Sequence, residues 1–236
     1  MNVDTEFDIH NMPCFLDKTE FLMKYIQCLS YEEAKILWKC NDKIAKTNFE
    51  YFSDMNLTER LTPAILAYDG IQYQYMAPNV FDIKQLDYIE NHLYIMSGFY
   101  GILKPFDGIV PYRLEMQSAI KLSGYKDLYD YWGDSLFKNL YQDTDIVLNL
   151  ASKEYSKCIE NYLRDKVQFI SCTFGEYKEG KIITKGTLAK MARGEMIRYM
   201  AEEKIEKVSE IKNFNKLGYI YMKEKSNNTN MVFVKE

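Results

Sequence analysis

The sequence predicts a mixed α/β protein, and three observations carry that prediction. Helical and strand-like periodicities interleave along the chain, with no internal repeat and no linker rich in Gly, Pro or Ser. Hydrophobic residues are 47% and charged residues 27% of the 236, an ordinary globular balance that excludes extended disorder. Aromatics reach 15%, with 20 tyrosines among them, enough for a large core with hydroxyl groups at its margins. The length admits one large or two small domains; because strands and helices interleave without a break, residues 1–236 are expected to form a single compact domain. Its centre is expected to be a mixed sheet flanked by helices.

The elements follow in order. Asp17 to Leu29 reads as a helix with Asp17 and Glu20 at its start and Phe21, Leu22, Tyr25, Ile26 and Leu29 as one apolar stripe. Ser30 with Glu33 opens a second helix that turns Ile36, Leu37 and Cys40 inward, and a third runs from Asp42 to Phe52. Ile65–Tyr68 is a short apolar strand ended by the Asp69-Gly70 turn signal. A helix over Asp82–His92 leads into the apolar stretch Leu93–Met96, and Lys126–Tyr141 reads as one helix. Asp145–Leu150 is a buried strand, after which Ser152 caps a helix to Leu163. Val167–Glu176 and Lys181–Lys185 form a hairpin through Glu179-Gly180. Thr187–Lys204 is an amphipathic helix with Leu188, Met191, Ala192, Met196, Tyr199 and Met200 inward. Strands near Tyr219–Lys223 and Met231–Val234 follow.

Composition also narrows the function. No apolar run reaches the ~18 residues a membrane helix needs, and the first ten residues are acidic without a signal core, so a cytoplasmic protein is expected. Five scattered cysteines without a CxxC, and two histidines in unlike surroundings, leave no zinc motif, no expected metal or cofactor and no histidine-based catalysis. The formal charge of -4 would not draw the whole molecule to a polyanion. Residues 1–60 hold 11 acids and 7 bases, so the rest of the chain is balanced and has room for a local basic face.

Four stretches could carry chemistry. In the helix beginning at Thr187, Lys190, Arg193, Gly194 and Ile197 share a face, with Lys185 and Arg198 nearby in sequence. Gly194 costs about 1 kcal/mol relative to alanine there, which admits either close helix packing or close approach of an anion. Ser97–Pro105 (SGFYGILKP) places Gly98 and Gly101 around two apolar residues ahead of Lys104. That pattern is similar to the hairpin of helix-hairpin-helix modules, whose amides contact DNA phosphates, though one residue longer. In Pro111–Met116 (PYRLEM), Arg113 and Glu115 fall on one side, either as a packing ion pair or as an anion ligand with its orienting carboxylate. Asn149, Ser152 and Tyr155 follow the DIVLNL strand, where open α/β sheets place ligands.

Taken together with Asn41–Ala45 (NDKIA), Pro63–Gly70 (PAILAYDG), Tyr131–Asp134 (YWGD), Asn149–Tyr155 (NLASKEY) and Lys190–Gly194 (KMARG), these stretches resemble the YaaA family of bacterial peroxide-stress proteins. The resemblance implies a cytosolic protein that helps cells survive hydrogen peroxide by limiting intracellular iron. It implies a positively charged cleft, a helix-hairpin-helix element, and binding of double-stranded or branched DNA without sequence preference. On this chain the hairpin would be at Gly98 and Gly101, with cleft cations from Lys104, Arg113, Lys185, Lys190, Arg193 and Arg198. Family members usually start with a short apolar strand and a Ser-Pro-Ala-Lys stretch; this sequence begins at Met1-Asn2-Val3-Asp4, so that strand is expected to be lacking. A second reading, an enzyme or binder of a small anionic metabolite or nucleotide, would use a pocket of Arg113, Glu115, Asn149, Ser152, Tyr155, Lys190 and Arg193.

Overall fold

The computed structural model describes residues 1–3, 7–142, 144–164 and 167–235. It is a mixed α/β structure whose chain builds two compact units. The first comprises Met1–Tyr68, Leu93–Leu140 and Lys153–Tyr162; the second comprises Asp69–His92, Tyr141–Ser152 and Leu163–Glu236. The first unit opens with helices α1 (Leu16–Gln27), α2 (Tyr31–Trp38) and α3 (Asp42–Ser53), then strand β1 (Thr62–Pro63) and the helical turn α4 (Ala64–Ala67). Helices α5 (Ile71–Met76) and α6 (Ile83–His92) belong to the second unit. Back in the first come β2 (Ile95–Ser97), β3 (Gly101–Leu103), β4 (Gly108–Ile109), α7 (Leu128–Trp132) and α8 (Ser135–Leu140). Strand β5 (Ile146–Asn149) lies in the second unit and helix α9 (Lys153–Glu160) in the first. The second unit then takes β6 (Gln168–Lys178), β7 (Lys181–Ile183), α10 (Gly186–Glu203), β8 (Tyr219–Tyr221) and β9 (Asn230–Lys235).

In the first unit, Ser30 and Glu33 form a reciprocal capping box at the start of α2, and Asn41 caps α3 through the Ile44 amide at 3.0 Å. Helix α1 has no side-chain cap: Phe15 sits at its N-cap and Asp17 lies inside the first turn. The apolar stripes are only partly inward. Leu22, Ile26, Leu37 and Trp38 are buried, whereas Phe21 is 49% and Ile36 71% exposed. Two expected elements differ. Ala64–Ala67 is helical rather than a strand, because the Ala64 and Ile65 amides turn to the carbonyls of Asp107 and Pro105. The single helix expected over 126–141 is two short ones, broken where Gly133 takes a positive φ of 53°. The core gathers around Phe52, Phe99, Tyr100 and Trp132, all at most 2% exposed.

The sheet of the second unit runs β5-β6-β9-β8, with β7 paired to β6. Strands β5, β6 and β9 are parallel; β8 is antiparallel to β9 and β7 to β6. The β6–β7 turn is at Glu179-Gly180 as expected, both with positive φ. Helix α10 lays Ala189, Ala192, Met196 and Tyr199 on the sheet against Ile170, Cys172 and Phe174. Its Gly194 presses on α5 instead: a Cβ there would stand 2.0 Å from the Gln72 carbonyl oxygen and 2.9 Å from the Met76 nitrogen. Burial on two sides explains why Leu188 and Met191, expected inward, are only partly covered while Ile197 and Ala201 are buried. Among the described residues no helix is long and apolar enough to cross a membrane.

Candidate functional site

The block 97–105 forms the β2–β3 hairpin, with Ser97 paired to Gly101, and this corrects the expectation of a phosphate-binding helix-hairpin-helix turn. Both glycines are buried. A Cβ on Gly98 would meet the Leu114 carbonyl oxygen at 2.5 Å, so glycine here lets the segment Pro111–Met116 cross the hairpin. Gly101, at φ +76°, abuts the Trp132 ring, and the Trp132 indole N–H donates to the Gly98 carbonyl at 3.1 Å. The Phe99 and Tyr100 amides donate to Ser97 Oγ at 3.1 and 2.8 Å. Neither amide is left for a phosphate.

The crossing segment brings a row of hydroxyls together in the first unit. Tyr112 Oη lies 2.5 Å from Ser97 Oγ and 2.6 Å from Tyr68 Oη. Burial pushes the Tyr68 phenol up to about 12 and that of Tyr112 further, so both are protonated at neutral pH. Tyr155, on α9, accepts from the Met116 amide and is also raised by burial, with Glu154 and Glu115 opposing its ionisation. Arg113 pairs with Glu115 at 2.6 Å, both side chains partly exposed, while its Nε is buried without a partner. Its carbonyl accepts from Asn48 Nδ2 at 3.2 Å. The ion pair is therefore present, an arrangement that both sequence readings of Arg113 and Glu115 contain. Lys104 is exposed, and its backbone amide donates to Asp107 Oδ2 at 2.8 Å. Asp107 is buried, and desolvation pushes its carboxyl up to about 6.

In the second unit Asn149 is fully engaged: its Nδ2 donates to Ser171 Oγ at 3.1 Å and its Oδ1 accepts from the Ala151 amide at 2.9 Å. Leu148 and Leu150 pack toward α10, so strand alternation turns Asn149 to the other face of the sheet, away from the helix that carries Arg193. Ser152 is half-buried. Lys185 pairs with Glu176 at 2.5 Å, where Lys178 joins it and the two ammonium groups hold that carboxyl down to about 2. Arg198 pairs with Glu202 at 2.7 Å.

Arg193 is different. It is half-buried, its Nε has no hydrogen-bond partner, and among the described residues no carboxylate pairs with it. The titratable group beside it is Cys172, a buried thiol pushed up to about 12 by desolvation and therefore neutral. Lys190, three residues earlier on α10, is exposed and likewise holds no carboxylate among the described residues. Of the six expected cleft cations, Arg113, Lys185 and Arg198 are in ion pairs, whereas Lys104, Lys190 and Arg193 form none among the described residues. Sequence reasoning missed the Ser97–Tyr112–Tyr68 contact; its only signal was the high tyrosine content. The five cysteines are free, and burial raises the Cys158 thiol, like that of Cys172, to about 12. Among the described residues no three His, Cys, Asp or Glu side chains are grouped to hold a metal ion.

Residues 1–225 match the family model described as peroxide stress protein YaaA. A UPF0246 protein of Lachnoclostridium phytofermentans is 58% identical over 223 residues, covering 94% of this chain and 88% of that relative. UPF0246 proteins of Desulfitobacterium hafniense and Ligilactobacillus salivarius are 52% and 51% identical, over 100% and 98% of this chain and 94% of each relative. Extending over almost all of the chain, these matches establish that it belongs to the peroxide stress protein YaaA family.

Proposed function

We propose that this chain is a cytoplasmic protein of the hydrogen peroxide response that acts by binding DNA without sequence preference, and so helps limit intracellular iron. The observation that carries the reading is Arg193, a half-desolvated guanidinium that no carboxylate pairs among the described residues, with the exposed Lys190 on the same helix. A cation held this way gains most from an anion that completes its hydrogen bonds. The hairpin amides take no part; the contacts come from side chains. The test is fluorescence anisotropy with a 20-base-pair duplex and a four-way junction across a salt series. Affinity falls steeply with salt in the wild type, since phosphate contacts release counterions. Arg193→Ala with Lys190→Ala weakens all sequences equally and flattens the salt slope by about one unit per lost phosphate contact. Absence of binding at low salt, or a slope of zero, refutes the reading. In cells, chelatable iron after peroxide rises in a strain lacking the protein and is restored by the wild type but not by the double variant.

One observation favours a second reading, a small anionic metabolite or nucleotide. The Arg193 Nε is fully covered, so an anion that reached it would be enclosed rather than laid along a surface. Inorganic phosphate and nucleotides would then raise the melting temperature of the wild type and not of Arg193→Ala.

A further inference from the structure

The second unit has a groove of about 1890 Å³, and every residue lining it belongs to that unit. Ile146 and Leu148 of β5, Met231 of β9 and Met200 near the end of α10 are among them. The floor is aliphatic. Leu148, Met200 and Val208 are only partly covered by the core of the unit, and Ile146 is 46% exposed. Apolar surface gathered in a concavity gains free energy when another apolar surface covers it. Small-molecule pockets hold about 300–1,000 Å³, so this groove fits a segment of a macromolecule better than a metabolite.

Its rim is cationic. Lys207, Lys212 and Lys223 line it, all three are exposed, and none forms an ion pair among the described residues. Lys212 Nζ stands 5.6 Å from the centre of the Tyr221 ring, which holds that charge at the groove. Two carboxylates share the lining, Asp145 and Glu206, and Glu206 faces His92 Nε2 at 3.6 Å. Glu210, close by in sequence, accepts from the amides of Glu206 and Lys207 at 3.3 and 3.1 Å. Three ammonium groups thus remain for carboxylates from outside.

The outer edge of β5 tells a helix from a strand. The Asp145 carbonyl accepts from the Gln168 amide, so in the parallel ladder residues 145, 147 and 149 face β6, and Ile146 and Leu148 turn their backbone groups outward. Thr144 Oγ1 closes that edge at Ile146, accepting from its amide at 3.1 Å and donating to its carbonyl at 2.9 Å. An added strand would find one residue of β5, Leu148, to pair with. We propose that the groove docks an acidic amphipathic helix of a partner protein. Apolar side chains at i, i+3, i+4 and i+7 lie on the aliphatic floor, and flanking carboxylates meet Lys207, Lys212 and Lys223. Nucleic acid suits the groove less, because stacking needs open aromatic faces, and Tyr221 and Tyr88 are already in contact with Phe233 and His92. The proposal does not depend on Arg193 or on DNA binding.

The experiment is fluorescence anisotropy on the full chain with three labelled peptides of about 16 residues. One has glutamates around a leucine stripe of helical period, the second has lysines around the same stripe, and the third is the first scrambled to break the period. The first binds saturably, and the other two at least about tenfold more weakly. Lys207→Glu, Lys212→Glu and Lys223→Glu together invert the charge preference, so that the lysine peptide binds best. Ile146→Ser weakens the glutamate peptide about tenfold without changing the slope of affinity against salt, which separates floor from rim. A 20-base-pair duplex in excess leaves the peptide bound. Should the triple variant fold poorly by circular dichroism, Ile146→Ser decides alone. The proposal is overturned by no saturable binding, by equal affinity for the three peptides, or by unchanged affinities in the triple variant or in Ile146→Ser. Displacement by the duplex, which would make the groove a nucleic-acid surface, also overturns it. So does self-association of the wild type that the triple variant abolishes, which would put a second copy there.

Discussion

Replacing Gly194 with alanine tests the packing of the second unit at one atom. The new Cβ would stand 2.0 Å from the Gln72 carbonyl oxygen, 2.9 Å from the Met76 nitrogen and 3.0 Å from the Gln72 carbonyl carbon. All three obstacles are backbone of α5, so no side-chain rotation relieves them. Ordinary contact begins near 3.4 Å, which requires α5 to retreat by about 1.4 Å along that line. The retreat would open the interface where Met76, Ile197 and Ala201 are at most 5% exposed. Overpacking of this kind costs roughly 1–3 kcal/mol, and a rigid backbone obstacle places it at the upper end. Removing the glycine returns about 1 kcal/mol of helix propensity. The net loss is therefore about 2 kcal/mol, or a melting temperature lower by roughly 4–8 °C for a protein of this size. Gly186→Ala is the matched control: it lies in the same helix, and a Cβ there meets nothing within 4 Å. Thermal unfolding by circular dichroism on the two variants gives the answer. If Gly194→Ala melts with the wild type or above it, the close approach of α5 and α10 is wrong.

Further outcomes follow from other positions. Asp107 has a folded pKa of about 6 against an ordinary 3.8, so the folded state holds the proton more tightly than the unfolded chain. Its contribution to stability is therefore fully present below about pH 4, is lost as pH rises to 6, and is constant above, a change of roughly 2–3 kcal/mol. Asp107→Asn still accepts from the Lys104 amide and removes that slope, so urea midpoints of variant and wild type diverge between pH 4 and 6, with the variant more stable at pH 7. Gly98→Ala drives a methyl into the Leu114 carbonyl and lowers the urea midpoint, separating the hairpin from the segment that crosses it. Under native conditions an alkylating reagent followed by mass spectrometry labels the exposed Cys14 and Cys28, while Cys158 and Cys172 react only after unfolding.

What the sequence disclosed was local, and what it withheld was tertiary. The Ser30–Glu33 box, the Asp42–Phe52 helix and the Glu179-Gly180 turn were legible because their signals lie within a few residues. Ile65–Tyr68 misled because a four-residue apolar run has no periodicity to separate strand from helix, and the Ala64 and Ile65 amides find their partners at residues 107 and 105. The Arg113–Glu115 pair was visible as a two-residue alternation. The isolation of Arg193 was not, because it depends on which carboxylates stay away. Likewise, Ser97, Tyr112 and Tyr68 meet only after the segment bearing Tyr112 has passed over Gly98, a crossing that a glycine in a motif hints at but does not specify.

Strand β9, residues 230–235, is paired on both sides, to β6 and to β8. During synthesis, β6 must therefore wait with one edge bare for roughly fifty residues until its partner leaves the ribosome, an interval in which chaperone capture or pairing with another nascent chain competes with folding. A nonsense mutation just before Asn230 would not trim a loose tail; it would remove the central seam of the sheet and yield a product destined for proteolysis.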